Sequence, residues 1–152
     1  MYQLNYKPDT PKVKPDVEFR DLVYKYKDGE VLDLTGYIEI SRCGKHIWSY
    51  KSNKLLSSRL HVSSATIARA RVVAEDPHRF GNWQMNVIVD GKPLKLDLAR
   101  AVACTWVNGY AKGLTVDHIN HDKDNNGADN LQWLTNEDNI RKQPANRRRK
   151  RV

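Results

Sequence analysis

Asp90-Gly91 lies between two apolar runs, Val87-Ile88-Val89 and the alternating Leu94 and Leu96. That dipeptide offers two neighbours that tolerate positive φ, the requirement of a two-residue antiparallel turn. The chain is thereby committed to a β-hairpin across residues 82–96. A helical pattern begins directly behind it. Residues 96–107 (LDLARAVACTWV) set Leu98, Val102 and Trp106 on one stripe, with Ala99 and Ala103 between them, and Asn108-Gly109 ends the run. Strand pairing and helix in such close sequence predict an α+β fold.

The rest of the chain adds short elements. Residues 19–26 (FRDLVYKY) read as a strand or a helical turn. Residues 32–56 read as short strands with turns at Gly36 and Gly44, and Ile38, Ile40, Ile47 and Trp48 are core candidates. Residues 63–75 (SSATIARARVVAE) read as a helix, from their alanines, a serine cap and the stop at Pro77. Strands are expected at 115–118 and 131–134. A helix is expected from Thr135, because Thr-Asn-Glu-Asp matches a capping box, with Pro144 as its end.

Length and composition narrow the function classes. The 152 residues suit one domain or two small lobes. No apolar run approaches the ~18 residues of a membrane span. Residues 1–14 are polar and carry two prolines, unlike a signal peptide. Cys43 and Cys104 are far apart and form no C-x-x-C, which argues against a zinc knuckle and for a reducing, cytoplasmic setting. The net charge of +8 points to a polyanion without separating DNA from RNA or acidic lipid. The charge is uneven: Arg141, Lys142, Arg147, Arg148, Arg149, Lys150 and Arg151 crowd the C-terminus with no acid among them.

Residues 115–139 (TVDHINHDKDNNGADNLQWLTNEDN) pack two His, five Asp and six Asn into one stretch. Many of these are ordinary turn formers, Asn125, Asn126 and Gly127 in particular. A loop so rich in Asp and Asn could also bind Ca2+, but the full pattern of D-x-[DN]-x-[DN]-G with a Glu at the twelfth position is not present, since the twelfth residue from Asp122 is Trp133. The strand-loop-strand-helix order nevertheless gathers Asp117, His118, Asn130 and Asn139. Phosphodiester hydrolysis suits these types. A carboxylate (Asp117) and an amide oxygen (Asn139) fit a sparse Mg2+ site. The imidazole of His118, with a reference pKa of about 6.5 for the residue type, suits proton removal from water.

The stretch VDHINHDKDNNGADNLQWLTNEDNIRK, residues 116–142, resembles an HNH endonuclease of the kind found as phage and intron homing enzymes. Upstream, GKPLKLDLARAVACTWV is similar to that family's lead-in strand and helix, with Arg100, Ala103 and Trp106 at the expected places and Ala99 where many relatives have His. GYIEISRCGKHIWSYKSNKLL resembles the small module that often precedes such domains. The resemblance implies a ββα-metal core that cleaves double-stranded DNA to 5′-phosphate and 3′-hydroxyl ends, with Mg2+ as the ion and Mn2+ as a substitute. It implies His118 as general base, Asp117 and Asn139 as metal ligands, and Asn130 as the residue that orients the His118 loop. Asn139 stands where many relatives have a second His, which makes this the H-N-N variant.

The expected layout is an extended arm (1–20), a small α+β DNA-contacting region (21–90), the nuclease domain (91–143) and a basic tail (144–152). DNA contacts are expected from Arg100, Arg141, Lys142 and the tail residues 147–151. The chain is expected to act as a monomer or weak dimer, in the host cytoplasm if phage-encoded. The competing reading is a DNA-binding protein that keeps the HNH fold with weak or no catalysis.

Overall fold

The computed structural model of the protein describes residues 13–62, 68 and 81–142. The helix expected over 63–75 lies outside the described residues apart from Ala68, which is helical, and so do Pro144 and the tail residues 147–151.

The chain is α+β, and its sheets are antiparallel throughout. β1 (Phe19–Asp21), β4 (Ile38–Ser41), β5 (Ile47–Ser49) and β6 (Lys54–Leu56) form a four-stranded sheet in that order. β2 (Val23–Lys25) pairs with β3 (Val31–Asp33). Residues 19–26 are thus two short strands rather than a helical turn. Leu22 stands between β1 and β2 with no exposed surface, and its backbone links the two pairings: its N–H donates to Ile38 O at 3.0 Å and its carbonyl accepts from Leu34 N at 2.9 Å.

β7 (Ser58–His61), β8 (Asn82–Val89) and β9 (Lys92–Asp97) form the second sheet. The β8–β9 turn has Asp90 at φ 52° and Gly91 at φ 77°, the two positive angles that its sequence anticipates. β9 runs one residue further than expected, to Asp97, and helix α1 starts two residues later than expected, covering Leu98–Trp106. Pairing with β8 accounts for this, because Leu96 lies opposite Met85 and Asp97 opposite Gln84.

α1 is the central pillar. It packs on strands of both sheets and on the β2–β3 pair. Val102, Ala101 and Ala103 have no exposed surface, and the small alanines allow strands to close on several sides at once. One continuous core joins Ile38, Ile40 and Ile47 of the first sheet to Met85 and Leu96 of the second through α1. Trp106 closes it at the helix end, where its Nε1 donates to Ile40 O at 3.1 Å.

Beyond α1, β10 (Thr115–His118) and β11 (Leu131–Leu134) form a two-stranded ribbon, and α2 (Asn136–Lys142) follows. Trp133 Nε1 donates to Val107 O at 3.0 Å and ties the ribbon to the end of α1. The helix starts as its capping pattern predicts, with Asp138 N donating to Thr135 Oγ1 at 3.1 Å. Among the described residues no helix is long and apolar enough to cross a membrane.

Candidate active site

The β10–β11 register puts Thr115 opposite Leu134, Asp117 opposite Gln132 and His118 opposite Leu131. The loop over residues 119–130 is folded largely by its own amides and acids. Asn120 Oδ1 accepts from Asp122 N at 2.9 Å, Asp122 Oδ1 from Asp124 N at 3.0 Å, and Asn125 Oδ1 from Gly127 N at 3.2 Å. Each is an Asx turn, in which a side chain replaces the backbone partner two residues on. Asn130 ties the loop shut. Its Oδ1 accepts from Asn120 N at 3.1 Å, its Nδ2 donates to Asn125 O at 3.0 Å, and its carbonyl accepts from Ile119 N at 2.8 Å. Asn130 therefore acts on the loop that carries on from His118, not on the ring itself.

Asp117 and His118 leave β10 on opposite faces, as neighbours on a strand must. Asp117, only 7% exposed, turns toward α2. Its Oδ2 accepts from Gln132 Nε2 at 2.8 Å and from Lys142 Nζ at 2.5 Å. The same ammonium donates to His118 O at 3.1 Å and Ile119 O at 2.8 Å. Asn139 reaches the same face of β10 two residues along, with Nδ2 donating to Thr115 Oγ1 at 3.4 Å. His118 turns toward the loop, where Nε2 lies 2.8 Å from Asn126 Oδ1.

The end of β9 stands behind His118. Asp97 occupies the N-cap position of α1 without a side-chain capping bond. It keeps some solvent contact, yet burial pushes its carboxyl above the usual carboxylate range, with the nearby His118 charge and the first N–H groups of α1 pulling the other way. Tyr24 meets it there, its hydroxyl accepting from Asp97 N at 3.2 Å. Burial, with Asp97 adding to it, raises the Tyr24 phenol well above its ordinary value.

Among the described residues no three His, Cys, Asp or Glu side chains gather to hold a metal. The donor set here is of a different kind. Asp117 Oδ2, His118 O and Ile119 O form an all-oxygen cradle that already holds a cation, the Lys142 ammonium, and the Asn139 amide borders it on the same strand face. Oxygen donors with a single carboxylate suit a hard divalent ion that retains several waters.

Residues 97–141, which contain α1, the ribbon and most of α2, match the HNH endonuclease family. Over 114 residues the chain is 31% identical to DNA endonuclease I-HmuI of Bacillus phage SP01, an alignment covering 75% of this chain. The chain contains an HNH endonuclease domain. Its structure is also similar to a solved structure of the HNH homing endonuclease I-HmuI, an enzyme that binds and cleaves DNA. There the TM-score is 0.56 at 26% identity, over 82% of this chain. The chain spans 55% of the length of the phage relative and 56% of that solved chain.

Within the HNH domain, the structure corrects one expected DNA contact. Arg100 is only 8% exposed. Its Nε donates to Lys25 O at 2.5 Å and its Nη1 to Leu114 O at 3.3 Å, and the guanidinium lies 5.2 Å from the centre of the Trp133 ring. It is a tie between β2, α1 and the segment entering β10. Buried as it is, its guanidinium meets these backbone carbonyls instead of solvent. Lys142, also expected on DNA, is held at Asp117. Arg141 pairs along its own helix with Glu137 at 2.7 Å and Asp138 at 3.3 Å.

Two HNH residues escape a reading of the sequence. Asn126 reads as a turn former, yet only Asn125 makes the turn, and Asn126 is buried against His118. Its signal is the doubled Asn, since one Asx side chain is enough for the turn at Gly127. Gln132 is the other. It sits on the strand partner of Asp117, where alternation alone places it on the same face.

Proposed function

We propose that this chain is a metal-dependent DNA endonuclease of the homing type, which hydrolyses phosphodiester bonds to 5′-phosphate and 3′-hydroxyl ends. The observation that carries the proposal is the β10 end, where an oxygen cradle that holds a cation adjoins an imidazole fixed by a buried amide. His118 is the general base that takes a proton from the attacking water. Asn130 holds the loop behind it by three hydrogen bonds. Asp117 and Asn139 would hold Mg2+, or Mn2+ in its place. The bound ion supplies neutralisation of the charge that develops on the scissile phosphate and on the leaving oxygen. The substrate is double-stranded DNA, contacted by residues 21–90 and by the basic tail, with the chain working as a monomer or weak dimer.

Supercoiled plasmid with Mg2+, with and without EDTA, tests the reading. The wild type is expected to yield nicked or linear product only when the metal is available. His118→Ala is expected to lose ~10²- to 10⁴-fold in rate, while retaining DNA in a gel-shift assay. A plasmid that is retarded but stays supercoiled would make the chain a DNA-binding protein on a nuclease fold.

A further inference from the structure

Among the described residues the ring of His118 has one side-chain hydrogen-bond partner, and that partner decides which nitrogen is free. Nε2 lies 2.8 Å from Asn126 Oδ1. A neutral imidazole carries one N–H, so a carbonyl-type acceptor at Nε2 calls for the proton there and leaves the lone pair on Nδ1. Turning the Asn126 amide over would reverse this, because its NH2 would then donate to Nε2. The other end of the amide opposes that: Nδ2 donates to Lys123 O at 3.3 Å. Turned over, Oδ1 would face a carbonyl oxygen with no proton between them. At 7% exposure Asn126 has little water to relieve such a clash.

The loop that presents Asn126 is braced by the turn between β4 and β5. Gly44 there has φ +74°, and a Cβ on it would meet Asn126 O at 2.7 Å and Val102 Cγ2 at 3.1 Å. Glycine thus permits both the backbone angle and the close approach. Two residues away, Ala128 N donates to Arg42 O at 2.9 Å, and Arg42 pairs with Asp129. The small N-terminal module is therefore part of the support of the HNH loop.

We propose that Asn126 is a positioning residue: it holds His118 as the Nε2–H tautomer and so makes Nδ1 the atom that takes the proton from water, with residues 42–44 keeping Asn126 in place. The proposal rests on His118 being the general base.

The test uses the full chain. Long-range 1H–15N correlation spectra of the His118 ring, at a pH where the ring is neutral, are expected to show the proton on Nε2, exchanging slowly with water. In Asn126→Ala that proton is expected to exchange freely, and kcat on plasmid to fall about 10- to 100-fold with KM for DNA unchanged. That is the range found when a metal-bound histidine loses the group that orients it. Adding Asn126→Ala to His118→Ala is expected to change nothing more. A wild-type ring protonated on Nδ1, an undiminished kcat in Asn126→Ala, or a further loss in the double variant overturns the proposal. If Asn126→Ala does not fold, the wild-type spectrum and Asn126→Ser carry the same decision. The spectrum is read without cleavage, so it is separable from the endonuclease reading, which fails instead if His118→Ala cleaves like the wild type.

Discussion

The two helices of the HNH domain stand in contrast. α1 buries seven of its nine residues, and α2 buries none of its seven. α1 has no acidic residue in its first turn, no basic one in its last, and no side-chain cap. Packing against both sheets holds it. α2 is held by its own chemistry: the Thr135 cap, Glu137 and Asp138 in the first turn, Arg141 and Lys142 in the last, and an i,i+4 ion pair. A helix that owes its shape to local bonds can carry exchangeable chemistry, because a change on it disturbs little else. Asn139 and Lys142 sit there, whereas the buried cation of α1, Arg100, is committed to backbone carbonyls.

The largest expected effect comes from the packed helix. Trp106→Ala removes the ring that closes the core, its bond to Ile40 O, and the face on which Arg20 stacks at 4.0 Å. A loss of about 3–5 kcal/mol is expected, seen as a lower midpoint in urea. A midpoint that hardly moves would show that α1 is not the pillar of the fold.

Asn139→Ala on α2 is the counterpart. Asn139 is half-buried with one long bond, so stability is expected to fall by no more than about 1 kcal/mol. The Mn2+ concentration needed for half-maximal cleavage is expected to rise at least tenfold. Asn139→His is expected to retain activity with an altered ion preference. An unchanged metal midpoint for Asn139→Ala would place the second ligand elsewhere.

Lys142→Met sharpens the contrast further. The ammonium occupies the oxygens around Asp117, so a metal ion bound at the proposed site would have to displace it. Without it, calorimetry is expected to show Mn2+ binding about tenfold tighter, worth ~1.4 kcal/mol. Equal affinities would mean that lysine and metal do not share the cradle.

The smallest effect belongs to the weak point of α1, its N-cap. Burial raises the Asp97 pKa, so the folded chain binds that proton more tightly than the unfolded one. Ionised Asp97 thus costs stability, and the cost grows as pH rises from the unfolded value near 4 through the folded one. Asp97→Asn abolishes this slope and keeps a good capping residue. The variant is expected to melt above the wild type at pH 7 and to match it near pH 3.5. A gap that widens toward acid would reverse the assignment.

What could be read from the sequence was what neighbours along the chain decide. Asp90-Gly91 determined a hairpin because both positions accept positive φ. Thr135 determined a helix start because its hydroxyl reaches a backbone N–H three residues on. The bounds of β10 and β11 followed from short apolar runs, and the strand-loop-strand-helix order was enough to expect Asp117, His118, Asn130 and Asn139 around one ribbon. The partners of long side chains were settled only in three dimensions. Nothing local says that Arg100 turns inward to Lys25 O, 75 residues away in sequence, or that Lys142 reaches back 25 residues to Asp117. Asn126 is the closest case. Its sequence neighbourhood is a turn whichever amide makes it, and the packing of Gly44 and the His118 ring against the loop selected Asn125 for the turn and Asn126 for the histidine. Turn geometry is a property of two or three residues. The partner of a buried amide depends on which elements close over it, and that is known only once the sheets have packed on α1.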